Sequence, residues 1–354
     1  MSLQDVYRRR VFDDATTDER RARVYVNSGE LGIGDPRPEV ELMRALVEAP
    51  APQRLQVVGP SGAGKTSLIL KVVGDMARRK LDVEPEVLIL RVGDRPESLT
   101  SPDKVMKLVL DTIAVEEHRF SNVDPRVLEE ASADQRTRTP TQVEHRGEIA
   151  AQVVSYAATL REAYETVGFG SNAPRVRHDL EDVLEHVRAA GYRPVLVLDD
   201  TEKFIGPGRD GELDEVSVGN LYHHGVRVLG ELSVDLVVAM HPRFAGVERV
   251  QEVLTRLAMP EIEVPELPAE TEPPALRAIL ARRLQRDGIE GELADFITAA
   301  AVEELAVLYH ERDSDLRSVL KLAHAAAGHA LDRQAPLIDG RDVRTAVVAA
   351  SGSV

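Results

Sequence analysis

A chain of 354 residues, 43% apolar and 29% charged, has the length for one large domain or two ordinary ones with buried cores. It contains no cysteine, which excludes disulfides, thiolate zinc sites and thiol catalysis together. A formal net charge of −16 argues against a non-specific coat on nucleic acid, and no apolar run approaches the roughly 20 residues that span a bilayer. The charged N-terminus lacks a secretory apolar region, so a cytoplasmic location and no membrane partner are expected.

In chain order, residues 1–30 are rich in Arg and Asp with little apolar periodicity, and are expected to form a solvated or loosely docked charged arm. A turn-rich stretch, Leu31 to Pro38, precedes a helical pattern on Val40, Leu42, Met43, Leu46 and Val47. Leu55, Val57 and Val58 predict a short buried strand that runs into a glycine-rich loop, and Leu68 to Met76 predict a helix reaching about Lys80. A second strand is expected over 86–92 and a helix over 103–115. Residues 116–147 are charged and Thr-rich and read as a loop or disordered insertion, followed by helices at about 148–166 and 177–190.

A third strand, Pro194 to Leu198, ends in Asp199-Asp200, and a helix is expected over about 218–232. A fourth strand, Val234 to Met240, ends at His241-Pro242; a helix over 243–258 and an edge strand over 261–264 follow. Strands alternating with helices predict a parallel sheet covered on both faces. Beyond Pro265, Pro268, Pro273 and Pro274 only helical patterns remain, at about 273–286, 292–310, 314–331 and 339–350. The expected organisation is an α/β nucleotide-binding domain over 31–266 and a small helical lid over 272–350.

The loop reads Gly59-Pro60-Ser61-Gly62-Ala63-Gly64-Lys65-Thr66, between a strand and a helix. Glycines let such a backbone curl until successive N–H groups point inward at phosphate oxygens, and the following helix adds its positive end. In that pattern Lys65 reaches the β- and γ-phosphates, the Thr66 hydroxyl ligates Mg²⁺, and Ser67 extends the set that holds ATP. Asp199, at the carboxyl end of an apolar strand, is expected to hold the Mg²⁺ or its waters. Asp200 is expected to orient or deprotonate the attacking water, with Glu202 as a second candidate. Asp200 is one methylene shorter than a Glu, which suggests slow hydrolysis.

These parts, in this order, resemble the AAA+ ATPases of the origin-recognition and cell-division-cycle initiator-like group and their signalling relatives, the STAND ATPases. The segment Gly34 to Glu39 resembles the part of that family that lies over adenine. Asp315-Leu316-Arg317 resembles its lid motif, and implies that Arg317 reaches the γ-phosphate. For the polar group at the end of the fourth strand the resemblance offers His241 or Arg243. For an arginine that reaches ATP on a neighbouring subunit it offers Arg256, with Arg249 as competitor.

The family's initiator members carry a winged helix after the lid, whereas here only Ser351 to Val354 follow the last expected helix, so none is expected. With aromatics at 4%, no aromatic pore grip is evident. The resemblance thus implies an ATPase that self-assembles into a ring or filament and engages a protein partner, in DNA transactions or phage defence. DNA contact remains open through the ring or the basic groups Arg8 to Arg10 and Arg20 to Arg23. The alternative is a STAND-like nucleotide switch with little turnover. A zinc site on His223-His224 is not expected, since adjacent helical residues face different directions.

Overall fold

The computed structural model describes residues 2–13, 24–34, 37–48, 52–78, 86–91, 101–115, 173–189, 192–199, 201–205, 212–267, 272–311 and 315–351. Among the expectations above, the insertion at 116–147, the helix at 148–166 and Asp200 lie outside them.

Five strands form one sheet: β1 (Arg54–Val58), β2 (Glu86–Arg91), β3 (Tyr192–Leu198), β4 (Asp235–Met240) and β5 (Glu261–Glu263). Their order is β2-β3-β4-β1-β5 and every pairing is parallel. Because side chains alternate along a strand, each central strand feeds two cores. Val195, Val197, Val237 and Ala239 join Leu55, Val57 and Ile262 on one face, beneath the helices α2 (Pro38–Glu48) and α3 (Lys65–Arg78). Leu196, Leu198, Leu236, Val238 and Met240 face the other way. There they meet α4 (Pro102–Val115), α5 (Ala173–Ala189), α6 (Glu215–Gly230) and α7 (Glu248–Leu257). A strand buried on both faces reads as a continuous apolar run, which is why Val-Leu-Val-Leu at 195–198 was legible. The expected α/β class, a parallel sheet covered by helices and followed by an all-helical region, is what the chain forms.

α6 departs from the expected regular helix over 218–232. It begins as Glu215–Asn220, widens to a π-helical segment at Leu221–Val226, and closes at Arg227–Gly230. Tyr222 in the widened segment is fully buried and meets Phe244 edge-on, 6.4 Å between ring centres.

The helical region comprises α8 (Glu272–Arg286), α9 (Ala299–Glu311), α10 (Leu316–Asp332) and α11 (Gly340–Ser351) around a core of Leu, Ile and Ala. Of the two forms expected for the N-terminal arm, solvated or docked, residues 2–13 take the docked one. α1 (Leu3–Arg8) places Leu3, Val6, Val11 and Phe12 in this same core. Tyr7 stacks on His324 of α10 at 4.8 Å, and Arg9 donates to the Asp287 carbonyl at 2.9 Å. A six-residue helix gains little from its own hydrogen bonds, so tertiary packing must hold it. We therefore expect Val6→Ala to cost about 2 kcal/mol in denaturant unfolding, the worth of two buried methyls and the space they leave; a change near zero would mean the arm is not docked.

Residues 24–34 lie between the two bodies. Val26 joins the helical core while Tyr25 packs on the sheet side. The Glu39 carboxylate at the start of α2 accepts from the Ser28 N–H (3.0 Å), the Ser28 hydroxyl (2.7 Å) and the Tyr25 hydroxyl (3.1 Å). Burial pushes the Tyr25 phenol far above its ordinary range, so it remains a donor.

Candidate nucleotide site

β1 delivers the glycine loop to the carboxyl edge of the sheet, where parallel α/β folds bind ligands. Gly59 N donates to the Met240 carbonyl at 3.2 Å, and a Cβ on Gly59 would stand 2.9 Å from the Val264 carbonyl. Only glycine fits so close to a neighbouring backbone. Gly62 and Gly64 take φ +75° and +94°, a left-handed backbone that curls the loop back toward α3. Pro60 and Ala63 close this curl through an Ala63 N–H to Pro60 carbonyl bond of 3.3 Å; Ser61 is exposed.

Lys65 opens α3 and is 4% exposed. A buried ammonium requires acceptors, and Lys65 Nζ donates to the carbonyls of Gly59 (2.9 Å) and Pro60 (2.8 Å). The next residue, Thr66, donates its hydroxyl to Asp199 Oδ1 at 3.0 Å, and Asp199 is 2% exposed at the end of β3. Ser67 is half-buried on the following position. A hydroxyl and a carboxylate brought together beside a curled glycine loop and a lysine could hold a triphosphate with a hard divalent cation, which prefers oxygen ligands.

The other expected site residues are not gathered at this edge. Asp200 and the side chain of Glu202 lie outside the described parts. His241 ends β4 and caps the short turn Pro242–Gly246, its Nδ1 accepting the Arg243 N–H at 3.2 Å. Arg243 itself is exposed, so the geometry leaves the choice between the two open. Arg256 is exposed on the last turn of α7 and pairs with Glu231 at 3.1 Å; Arg177 approaches the other oxygen of the same carboxylate at 3.0 Å. Arg249 donates to the Asn220 amide oxygen at 3.1 Å. Arg317 is exposed in the first turn of α10, and its N–H is capped by Asp315 Oδ1 at 3.0 Å.

His223 and His224 meet edge to face at 4.9 Å. Burial and then the neighbouring His223, Arg227 and Arg249 charges push the His224 pKa down. Among the described residues no three or more His, Asp or Glu side chains gather into a metal site.

Two contacts were missed from sequence. Thr201 is fully buried and donates to the Ala239 carbonyl at 2.8 Å, tying the end of β3 to β4. Asp-Asp-Thr signals a turn but not this partner. The second is Asp315, which the helix-capping pattern identifies only as a cap; it sits against Gly62 of the loop.

No protein-family model matches the chain, and no curated protein matches it in sequence. Solved structures do. The Aeropyrum pernix ORC1 protein in complex with DNA is 19% identical with a TM-score of 0.52, over 88% of this chain and 64% of that one. The chain thus spans less than two thirds of that protein. The Aeropyrum pernix ORC2 protein, in ADPNP and ADP complexes, is 16% identical with a TM-score of 0.52, over 96% of this chain and 71% of that one. Among the described residues no helix is long and apolar enough to cross a membrane. Sheet order, glycine loop and helical C-terminal region together give this chain the fold of these ORC1 and ORC2 proteins.

Proposed function

We propose that the protein binds ATP with Mg²⁺ in the cleft between sheet and lid and hydrolyses it, its nucleotide state controlling assembly with further copies and engagement of a partner. The observation that carries this is the Thr66–Asp199 pairing at 3.0 Å beside a loop whose lysine is already buried within it. On binding, Lys65 exchanges the Gly59 and Pro60 carbonyls for phosphate oxygens, and the loop N–H groups take the rest. Thr66 and Asp199 hold the cation, which would draw charge from the β- and γ-oxygens. Asp200 orients the water and accepts its proton, while Arg317 approaches the γ-phosphate from the lid. Titration of the purified protein with ADP and a slowly hydrolysed ATP analogue, with mass measured in each state, tests the reading. No nucleotide binding, or no change in mass, would count against its two halves in turn.

Arg256 is the residue we assign to the neighbouring copy's ATP. Its ion pair with Glu231 is exposed, and such pairs are worth under about 1 kcal/mol, so a phosphate in trans can displace it. Arg256→Ala should lower ATPase activity about tenfold where the wild type is assembled, one charge-assisted hydrogen bond's worth, and leave dilute protein unaffected. Equal activity at every protein concentration would remove Arg256 from this role.

For the partner, the DNA held by the ORC1 protein favours nucleic acid, and the net charge of −16 favours protein. Part of the basic arm is committed elsewhere: Arg9 to the Asp287 carbonyl and Arg10 to Asp13. A protein partner is therefore our first choice, with DNA addition a separate arm of the mass measurement. The shorter acid at Asp200 favours one further reading, a switch that holds nucleotide with little turnover.

A further inference from the structure

Gly62 has φ +75°, and the space a side chain would take there is filled by the lid. A Cβ at Gly62 would overlap the Asp315 carboxylate and stand 3.1 Å from the Leu316 nitrogen. The 17-residue helix α10 therefore points its N-terminus at the phosphate loop, as α3 does from the other side. Unlike α3, α10 arrives with its positive end covered. Asp315 Oδ1 accepts the Arg317 N–H and Oδ2 accepts the Ser318 hydroxyl. One carboxylate thus fixes the first turn of the Arg317 helix and seats that turn on a glycine of the loop.

We propose that Asp315 is a positioning residue that also sets nucleotide affinity. It registers the Arg317 helix on Gly62, and its negative charge opposes the nucleotide phosphates that the loop attracts. Two features of the contact carry this. Gly62 has no side chain of its own to stand between the carboxylate and the loop backbone. The cap needs an oxygen at position 315 but not a charge, since Asn and Ser cap helices about as well as Asp. An acid at the mouth of an anion site must therefore be explained by what its charge does. Its effect is to hold nucleotide less tightly than the loop alone would, favouring release when the lid is closed. That role exists only if the loop holds nucleotide, as proposed above.

The test is calorimetric titration of the full chain with ADP and a slowly hydrolysed ATP analogue, comparing wild type, Asp315→Asn and Lys65→Ala. Asp315→Asn keeps the capping oxygen and removes the charge. It is expected to tighten both nucleotides about three- to tenfold, the influence of one unit charge across several ångströms of half-wet cleft. The gain should shrink as salt is added, because exposed charge is screened. A residue that served only as a helix cap would give unchanged or weaker binding in Asp315→Asn, and either outcome overturns the proposal. If Asp315→Asn does not fold, Asp315→Ser removes the charge with a capping hydroxyl left in place, and the same tightening is required. Lys65→Ala separates the two levels. Should it bind like the wild type, the loop is not the nucleotide site and the role of Asp315 falls with it; should it lose binding while Asp315→Asn fails to tighten, only the role of Asp315 is lost.

Discussion

Lys65→Ala is expected to weaken nucleotide binding by about 3–5 kcal/mol, roughly 100-fold to 1,000-fold or more, leaving no measurable binding at micromolar nucleotide. The magnitude follows from where the ammonium sits. It is 4% exposed and held by two loop carbonyls, so its desolvation is complete before any ligand arrives. Exchanging neutral carbonyls for phosphate oxygens then gains charge-assisted hydrogen bonds at little further cost. The variant also leaves the Gly59 carbonyl without its lysine donor, while the Pro60 carbonyl keeps the Ala63 N–H, which should lower stability in the absence of nucleotide by about 1 kcal/mol. Calorimetric titration at a temperature where the variant remains folded separates the two effects. Wild-type affinity in a folded Lys65→Ala protein would show that Gly59 to Thr66 is a bare strand-to-helix turn.

The parts of this site that could be read from sequence are those whose signal is local. The apolar run before Gly59, the glycine spacing and the helix after Lys65 all fall within about twenty residues, and the strand, glycine loop and helix were legible for that reason. The Asp199 position was legible because a doubly buried strand has a recognisable end. What escaped depends on distant packing. Leu3, Val6, Val11 and Phe12 are too few and too interrupted by arginines to show a period, and only the helical core around Ala323 and Ala327 makes them buried. The π-helical widening at Leu221–Val226 follows the seating of Tyr222 on Phe244, not any repeat in the chain. In the sequence Asp315 is the acid of the Asp-Leu-Arg motif, and nothing near it announces Gly62. Local chemistry thus names the groups at the site; long-range packing decides what each touches.

Asp200→Asn should keep nucleotide affinity within about twofold and lower turnover by about 100-fold to 10,000-fold, the range for loss of a general base. The neighbouring acid cannot substitute. Asp199 is 2% exposed and already accepts the Thr66 hydroxyl. Asp200 lies outside the described residues, and its assignment rests on its position in the chain. Phosphate release, measured together with mass, gives the variant a second signature: nucleotide trapped and the assembled form enriched. Asp200→Glu supplies the complementary arm. If the wild-type acid falls one methylene short of the water, lengthening it should raise turnover above wild type, while the Asn variant abolishes it. Retained turnover in Asp200→Asn would move the base to Glu202. Turnover equally low in wild type and Asp200→Asn, with nucleotide-dependent assembly intact, would instead identify a switch whose output is the bound state itself.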